Sequence, residues 1–213
     1  TNDPKIKKIE DYLTIEDHKI STPAAKVSIQ AVTLQMAAAK LWGEPNKLDH
    51  LVISMKHPTA LAAMLSGGQT VKSHFATLPY SFIELKNKNI HQVTSSYDIL
   101  GGQHSVLVMS ASRAFKEDNP KTYTAVIAAF SEAFAWINAN PVKAAETFIR
   151  YTNSKMDPAD VRALLTNKAE IEFSMLPKLT MKYADLLNKI GDIPKAKSWK
   201  DYFWENNHQF DGS

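Results

Sequence analysis

The chain has no cysteine among its 213 residues, which excludes disulfides, thiolate nucleophiles and cysteine-ligated metals. It has no apolar run long enough to span a membrane and no basic-then-apolar opening of the secretory kind, a pattern that fits a cytoplasmic protein or one whose leader has been removed. It also lacks a Gly-x-Ser-x-Gly elbow, a phosphate loop ending in Gly-Lys-Ser and a pair of carboxylates spaced for acid–base work, so no enzyme, no catalytic residue and no cofactor is predicted. Charge of one sign is scarce too. Lys and Arg total 25 against 22 Asp and Glu, a formal +3. The lysines are scattered rather than clustered with aromatics, so nucleic acid is not an expected partner. Repeats and low-complexity tracts are missing.

What is present is a globular composition, 44% hydrophobic and 22% charged, able to bury a substantial core. The first half reads as strands alternating with helices. His18–Ile20 is a short buried strand that breaks at Ser21, Thr22, Pro23, Ala24, Ala25 and Lys26 into a helix opening at Val27 or Ser28. Leu51–Met55 is a second apolar run, followed by His57-Pro58 and helix-period Leu61, Met64 and Leu65, closed by Gly67-Gly68. Val71–Phe75 is a third, with Pro79 and a short helix through Phe82 and Leu85 behind it, and Ile90–Val93 is a fourth. Such alternation predicts parallel βαβ units, in which ligands bind beyond the carboxyl ends of the strands. Thr22, His57 and His74 fall at that edge. The helix start near Ser28 leaves backbone N–H groups unpaired at the positive end of a dipole, which suits a carboxylate, sulfonate or phosphate.

The second half reads as helical after one further strand at Ser105–Met109. Asn119-Pro120, Asn140-Pro141 and Asp157-Pro158 each place a capping residue before a proline at the first helical position. Tyr123, Val126, Ile127, Phe130, Phe134 and Ile137 form an apolar stripe that requires a cover. A later helix from about Pro177 carries Leu179, Tyr183, Leu186 and Ile190 and stops at Gly191. Ser198–Trp204 is an aromatic terminal turn. His57, His74, His91 and His104 stand on separate elements without a local His-x-x-x-His pair, so no metal site is expected.

The ordered set Ile9-Glu10-Asp11-Tyr12, Lys19-Ile20-Ser21-Thr22-Pro23, Lys26-Val27-Ser28-Ile29-Gln30-Ala31, His57-Pro58, Ser66-Gly67, Ser73-His74-Phe75, Asn119-Pro120-Lys121, Ala135-Trp136-Ile137 and Lys197–Phe203 resembles the solute-binding proteins of bacterial ABC importers. The resemblance is to the nitrate, taurine and aliphatic-sulfonate type, whose fold is shared with the pyrimidine synthase of thiamine biosynthesis in yeast. It covers essentially the whole chain.

The resemblance implies an α/β, two-lobe, periplasmic-binding-protein-like (type II) architecture. Residues 18–96 would form a complete second lobe, and residues 1–17 and 97–213 a partial, mostly helical first lobe whose opening βαβ units precede the sequence in hand. The lobes would hinge at Ser95–Gln103, with Gly101 and Gly102 absorbing the backbone change. A small organic anion, such as a sulfonate or nitrate, would bind in the cleft between them for import. Ligand-binding residues carried over are Thr22, Pro23, Ala24, Ala25, Lys26, Val27, Ser28, His57, His74 and Phe75. Implied partners are the anion, the membrane permease subunits and the missing N-terminal segment. The implied location is the periplasm, free or lipid-anchored outside the cytoplasmic membrane. The alternatives are a pyrimidine-synthase-like enzyme, which in that branch uses a cysteine-rich iron-binding segment that this chain lacks, and the ligand-sensing domain of a regulator.

Overall fold

A computed structural model describes residues 1–16, 18–67 and 71–213. The chain is α/β, with helix in the larger share and one small parallel sheet. The strands are β1 (Ile20–Thr22), β2 (Val52–Ser54) and β3 (Ser73–His74), ordered β2-β1-β3. Ile20 pairs with Val52 and Ser73, and Ser21 with Ile53 and His74. Because strand side chains alternate between faces, Ile20, Val52 and Ser73 look to one side, and Ser21, Ile53 and His74 to the other.

Helices cover both sides. Helix α1 (Ile29–Trp42) follows β1 and packs Leu34, Ala37 and Ala38 with Ile20, Leu48 and Leu51. It is an Ala/Leu/Gln run of good helix formers. Ser28 caps it, accepting from the Ala31 amide, and Gly43 at φ 73° ends it. Helix α2 (His57–Leu65) follows β2 and buries Met64 with Val71 and Ile90, against Ile53 and Met55 on the opposite sheet face. The chain therefore leaves β1 towards one face and β2 towards the other. Their loops part over the carboxyl edge of the sheet, the ligand-binding position of open parallel sheets. Gly67 closes α2 at φ 99°; Gly68 lies outside the described residues. Helix α3 (Tyr80–Leu85) follows β3 and packs against α2, and α4 (Ser96–Leu100) ends at Gly101 with φ 83°.

Two expected strands are corrected. Ile90 is buried, but Ile90–Val93 forms no strand: the Ile90 amide turns back to the Asn87 carbonyl, the His91 amide donates to the Thr1 carbonyl, and the Thr1 amino group donates to the His91 carbonyl, each at 2.9 Å. Ser105–Met109 also forms none. Its Ser105 amide donates to the Lys178 carbonyl, and Leu107 is 90% and Val108 62% exposed. An apolar run becomes a strand only where a neighbour takes its ladder bonds.

The chain divides into two compact units, residues 1–104 with 181–195, and residues 105–180 with 196–213. These are not the expected segments. Ile6, Ile9 and Tyr12, placed by the resemblance with the partial lobe, share a core with Ile20 and Leu34, and the beginning of the chain accordingly packs with residues 18–96. Asp17, at the end of that expected segment, lies outside the described residues. The expected crossing at Ser95–Gln103 sits in the first unit, just before its boundary after His104.

The second unit is helical: α5 (Arg113–Asp118), α6 (Pro120–Ala139), α7 (Pro141–Thr152) and α8 (Pro158–Thr166). All three predicted proline starts are observed. Asp157 caps as expected, accepting from the Ala159 amide at 2.7 Å, whereas Asn119 and Asn140 turn backwards and donate to Phe115 and Trp136 carbonyls of the preceding helix. Of the α6 stripe, Tyr123 is buried and Phe130 is 40% exposed. Helix α9 (Thr180–Lys189) begins three residues after Pro177, and its residues from Met181 belong to the first unit.

Candidate functional site

Adjacent residues of β3 carry two polar networks, one on each face of the sheet. On the α1 face, the Tyr12 hydroxyl donates to Ser73 Oγ at 2.8 Å, and His18 Nε2 is also 2.8 Å from that oxygen. The Asp3 carboxylate lies 3.5 Å from His18 Nδ1. Ser, His and Asp in this order resemble a nucleophilic triad, but Ser73 and His18 are sealed in the core, where no substrate reaches them. Burial pushes the Tyr12 phenol up to about 12 and lowers the His18 imidazole. The network holds the amino-terminal segment to the sheet.

The other network opens outward. His74, one residue on from Ser73, points to the α2–α3 face. Its Nδ1 is 2.6 Å from Glu84 Oε1 of α3, and its Nε2 is 2.8 Å from Nδ1 of His57, the first residue of α2. His57 Nε2 lies 3.2 Å from both Gln30 Nε2 in the first turn of α1 and Thr77 Oγ1 ahead of α3. The Tyr80 ring stacks on His57 at 5.2 Å. The His74 side chain is wholly buried and that of Glu84 is 6% exposed, while His57 is partly exposed. A carboxylate is thus connected through one imidazole to a second that meets solvent. Burial lowers the His57 pKa; a charge on His74 would lower it further, and Glu84 raises it.

With Glu84 ionised, one assignment of hydrogens satisfies every contact. His74 donates from Nδ1 to Glu84, and His57 donates from Nδ1 to His74 Nε2. His57 Nε2 then accepts from the Gln30 amide and the Thr77 hydroxyl. The Gln30–His57 contact also brings the first turns of α1 and α2 to one point over the carboxyl edge, with the start of α3 beside it at Tyr80.

Of the predicted site residues, His57 and His74 are brought into direct contact, and Ser28 caps the helix whose first turn touches His57 through Gln30. Thr22 ends β1, fully buried, its hydroxyl without a hydrogen-bond partner. Pro23, Ala24 and Ala25 make the connecting turn, with the Ala25 amide donating to Ser54 Oγ and the Ser28 amide to the Ala24 carbonyl. Lys26 sits at φ 72° and points into solvent, as does Val27 at 77% exposure. Phe75 packs into the α1-side core. Lys26, Val27 and Phe75 are therefore not gathered with the histidines. Sequence reasoning missed Glu84, Gln30, Thr77 and Tyr80. The signal was the i,i+4 spacing of Tyr80 and Glu84, which puts both on one face of α3; that helix was read by its apolar Phe82 and Leu85, and Leu85 proves 45% exposed.

The remaining candidate histidines lie apart. His91 Nε2 donates to the Ile6 carbonyl at 2.6 Å. His104 Nδ1 donates to the Gly102 carbonyl, its ring edged by Tyr97 and Tyr183. Among the described residues no three metal-ligating side chains are gathered, and no helix is long and apolar enough to cross a membrane. Comparison with known protein families, with curated proteins and with solved structures gives no match.

Proposed function

We propose that this chain is the substrate-binding component of an ABC importer, capturing a small organic anion of the sulfonate or nitrate class for delivery to membrane permease subunits outside the cytoplasmic membrane. The observation that carries the reading is the hydrogen bond between Gln30 and His57, because it places the N-termini of α1 and α2 at one point over the sheet's carboxyl edge. Each contributes the positive end of a dipole, and together they favour an anion over a neutral solute. In this role the protein binds and releases without turnover, which agrees with a sequence lacking nucleophile elbow, phosphate loop and cysteine.

The test is thermal unfolding and calorimetric titration of the full chain with taurine, methanesulfonate, nitrate, acetate and a neutral aminopyrimidine. Ligand at a hundred times Kd stabilises by about 2.7 kcal/mol, a readable rise in Tm. At least one anion is expected to bind, with affinity reduced at least tenfold in His57→Ala. Binding of the pyrimidine alone, or of none of the five, would overturn the proposal.

A further inference from the structure

The hydrogen pattern of Glu84, His74 and His57 has a second solution that keeps these three side chains in place. In the first, both imidazoles are neutral, Glu84 is ionised, and His57 Nε2 is an acceptor. In the second, a proton from solvent arrives at His57 Nε2, the proton of His57 Nδ1 passes across 2.8 Å to His74 Nε2, and His74 becomes an imidazolium held 2.6 Å from the Glu84 carboxylate. His57 is still neutral, but its Nε2 now donates. The net charge of the relay goes from −1 to zero. His74 is the better resting place for the charge, because it alone touches a carboxylate. His57 is the entrance, because His74 and Glu84 are closed to solvent.

The outer end of the relay therefore changes sign as a hydrogen-bond partner. In the acceptor state it is served by the Gln30 amide and the Thr77 hydroxyl. In the donor state the Thr77 hydroxyl accepts from His57 Nε2, but Gln30 Nε2, itself a donor, no longer fits, so an anion taking the place of the Gln30 amide gains a hydrogen bond. We propose that Glu84, His74 and His57 form a two-state proton relay, and that an organic anion binding against His57 Nε2 takes up one proton from solvent. The coupling to anions rests on the function proposed above; the relay itself does not. Charged and titratable groups facing the relay are His57 from α2, His74 from β3, Glu84 and Tyr80 from α3, and the Thr1 amino group, whose charge is felt at Glu84. Helix α1 presents the neutral Gln30.

Ring-nitrogen NMR of the full chain, labelled at histidine with nitrogen-15 and titrated through the imidazole range of about pH 8 to 5, reads this directly. His57 Nε2 is expected to pass from unprotonated to protonated with the same midpoint at which His74 Nε2 becomes protonated. Glu84→Gln is expected to lower that midpoint by at least about one pH unit, since the neighbouring anion is gone. Separate midpoints, or a His57 Nε2 that holds one state while His74 titrates, would overturn the relay, and the unsubstituted protein decides this even if the variant does not fold. Repeating the titration with methanesulfonate, nitrate or acetate in place of chloride is expected to raise the midpoint. An anion that stabilises the protein yet leaves the midpoint unmoved overturns the coupling. A concerted titration with no anion bound in either experiment upholds the relay and overturns the proposed function instead.

Discussion

Three histidines, with the Thr1 amino group, are expected to make the fold sensitive to mild acid. Burial is the first cause of a lowered pKa at His18, His57 and His104, each starting from 6.5. The unfolded chain therefore takes up protons, as pH falls below 6.5, that these rings in the fold do not. Their neutral forms support the fold fully above that pH, and the support is lost as pH falls through the unfolded value towards the lower folded ones. Asp3, Asp11 and Asp98, lowered first by hydrogen bonds to their carboxylates, act in a different window, contributing above 3.8 and losing their contribution only below it. The urea midpoint is expected to drop between about pH 7.5 and 5.5, before any carboxylate protonates. His18→Gln and His104→Gln together should flatten that slope. A midpoint constant across this range would show that burial of the rings is not what sets the titration.

At the scale of elements, α3 shows how a polar partner overrides an apolar pattern. Its six residues Tyr80–Leu85 present Phe82, Ile83 and Leu85 to any periodicity argument, yet the buried residue is Glu84 and the exposed one is Leu85. The His74 ring supplies the reason, since a carboxylate can be buried when a donor meets it at 2.6 Å. Glu84→Ala is expected to destabilise the protein by about 1–3 kcal/mol, because His74 Nδ1 is left buried without an acceptor. Leu85→Lys is expected to stay within about 0.5 kcal/mol of the parent. Chemical denaturation of the pair checks this, and a larger loss at Leu85 would reverse the assignment of the inward face. The proline starts behave differently, being local. Pro120, Pro141 and Pro158 begin helices wherever they stand, whereas the side chain before each follows its own surroundings.

For the whole molecule, the second unit leaves much apolar surface in water. Leu107, Val108 and Met109 are 90%, 62% and 50% exposed, and Phe130, Trp136 and Phe148 are each above a third exposed. Surfaces of this kind drive association. Light scattering across a concentration series is expected to show self-association, relieved by Leu107→Lys with Val108→Lys. A monomer at every concentration, with no change in the double variant, would contradict this. The same segment explains the largest error of sequence reasoning: β propensity was legible in Ser105–Met109, but pairing is a property of the neighbour, and Lys178 meets the segment at Ser105 without a strand forming.

The sequence by itself determined the features whose causes are local. These are the Ser28 cap and Gly43 stop of α1, the proline starts of α6 to α8, and the apolar runs that became β1, β2 and β3 in a parallel βαβ order. It also determined that His57 and His74 would stand at the carboxyl edge, since strand ends and helix starts are read from the same punctuation. Tertiary structure alone decided what those histidines do. Glu84 and Gln30 come from elements on opposite faces of the sheet, and their meeting with His74 and His57 depends on how the crossovers wind. It decided as well that Ile6, Ile9 and Tyr12 complete the core around Ile20 and Leu34, for burial is settled by the total apolar surface that must be covered, which no short window of sequence contains.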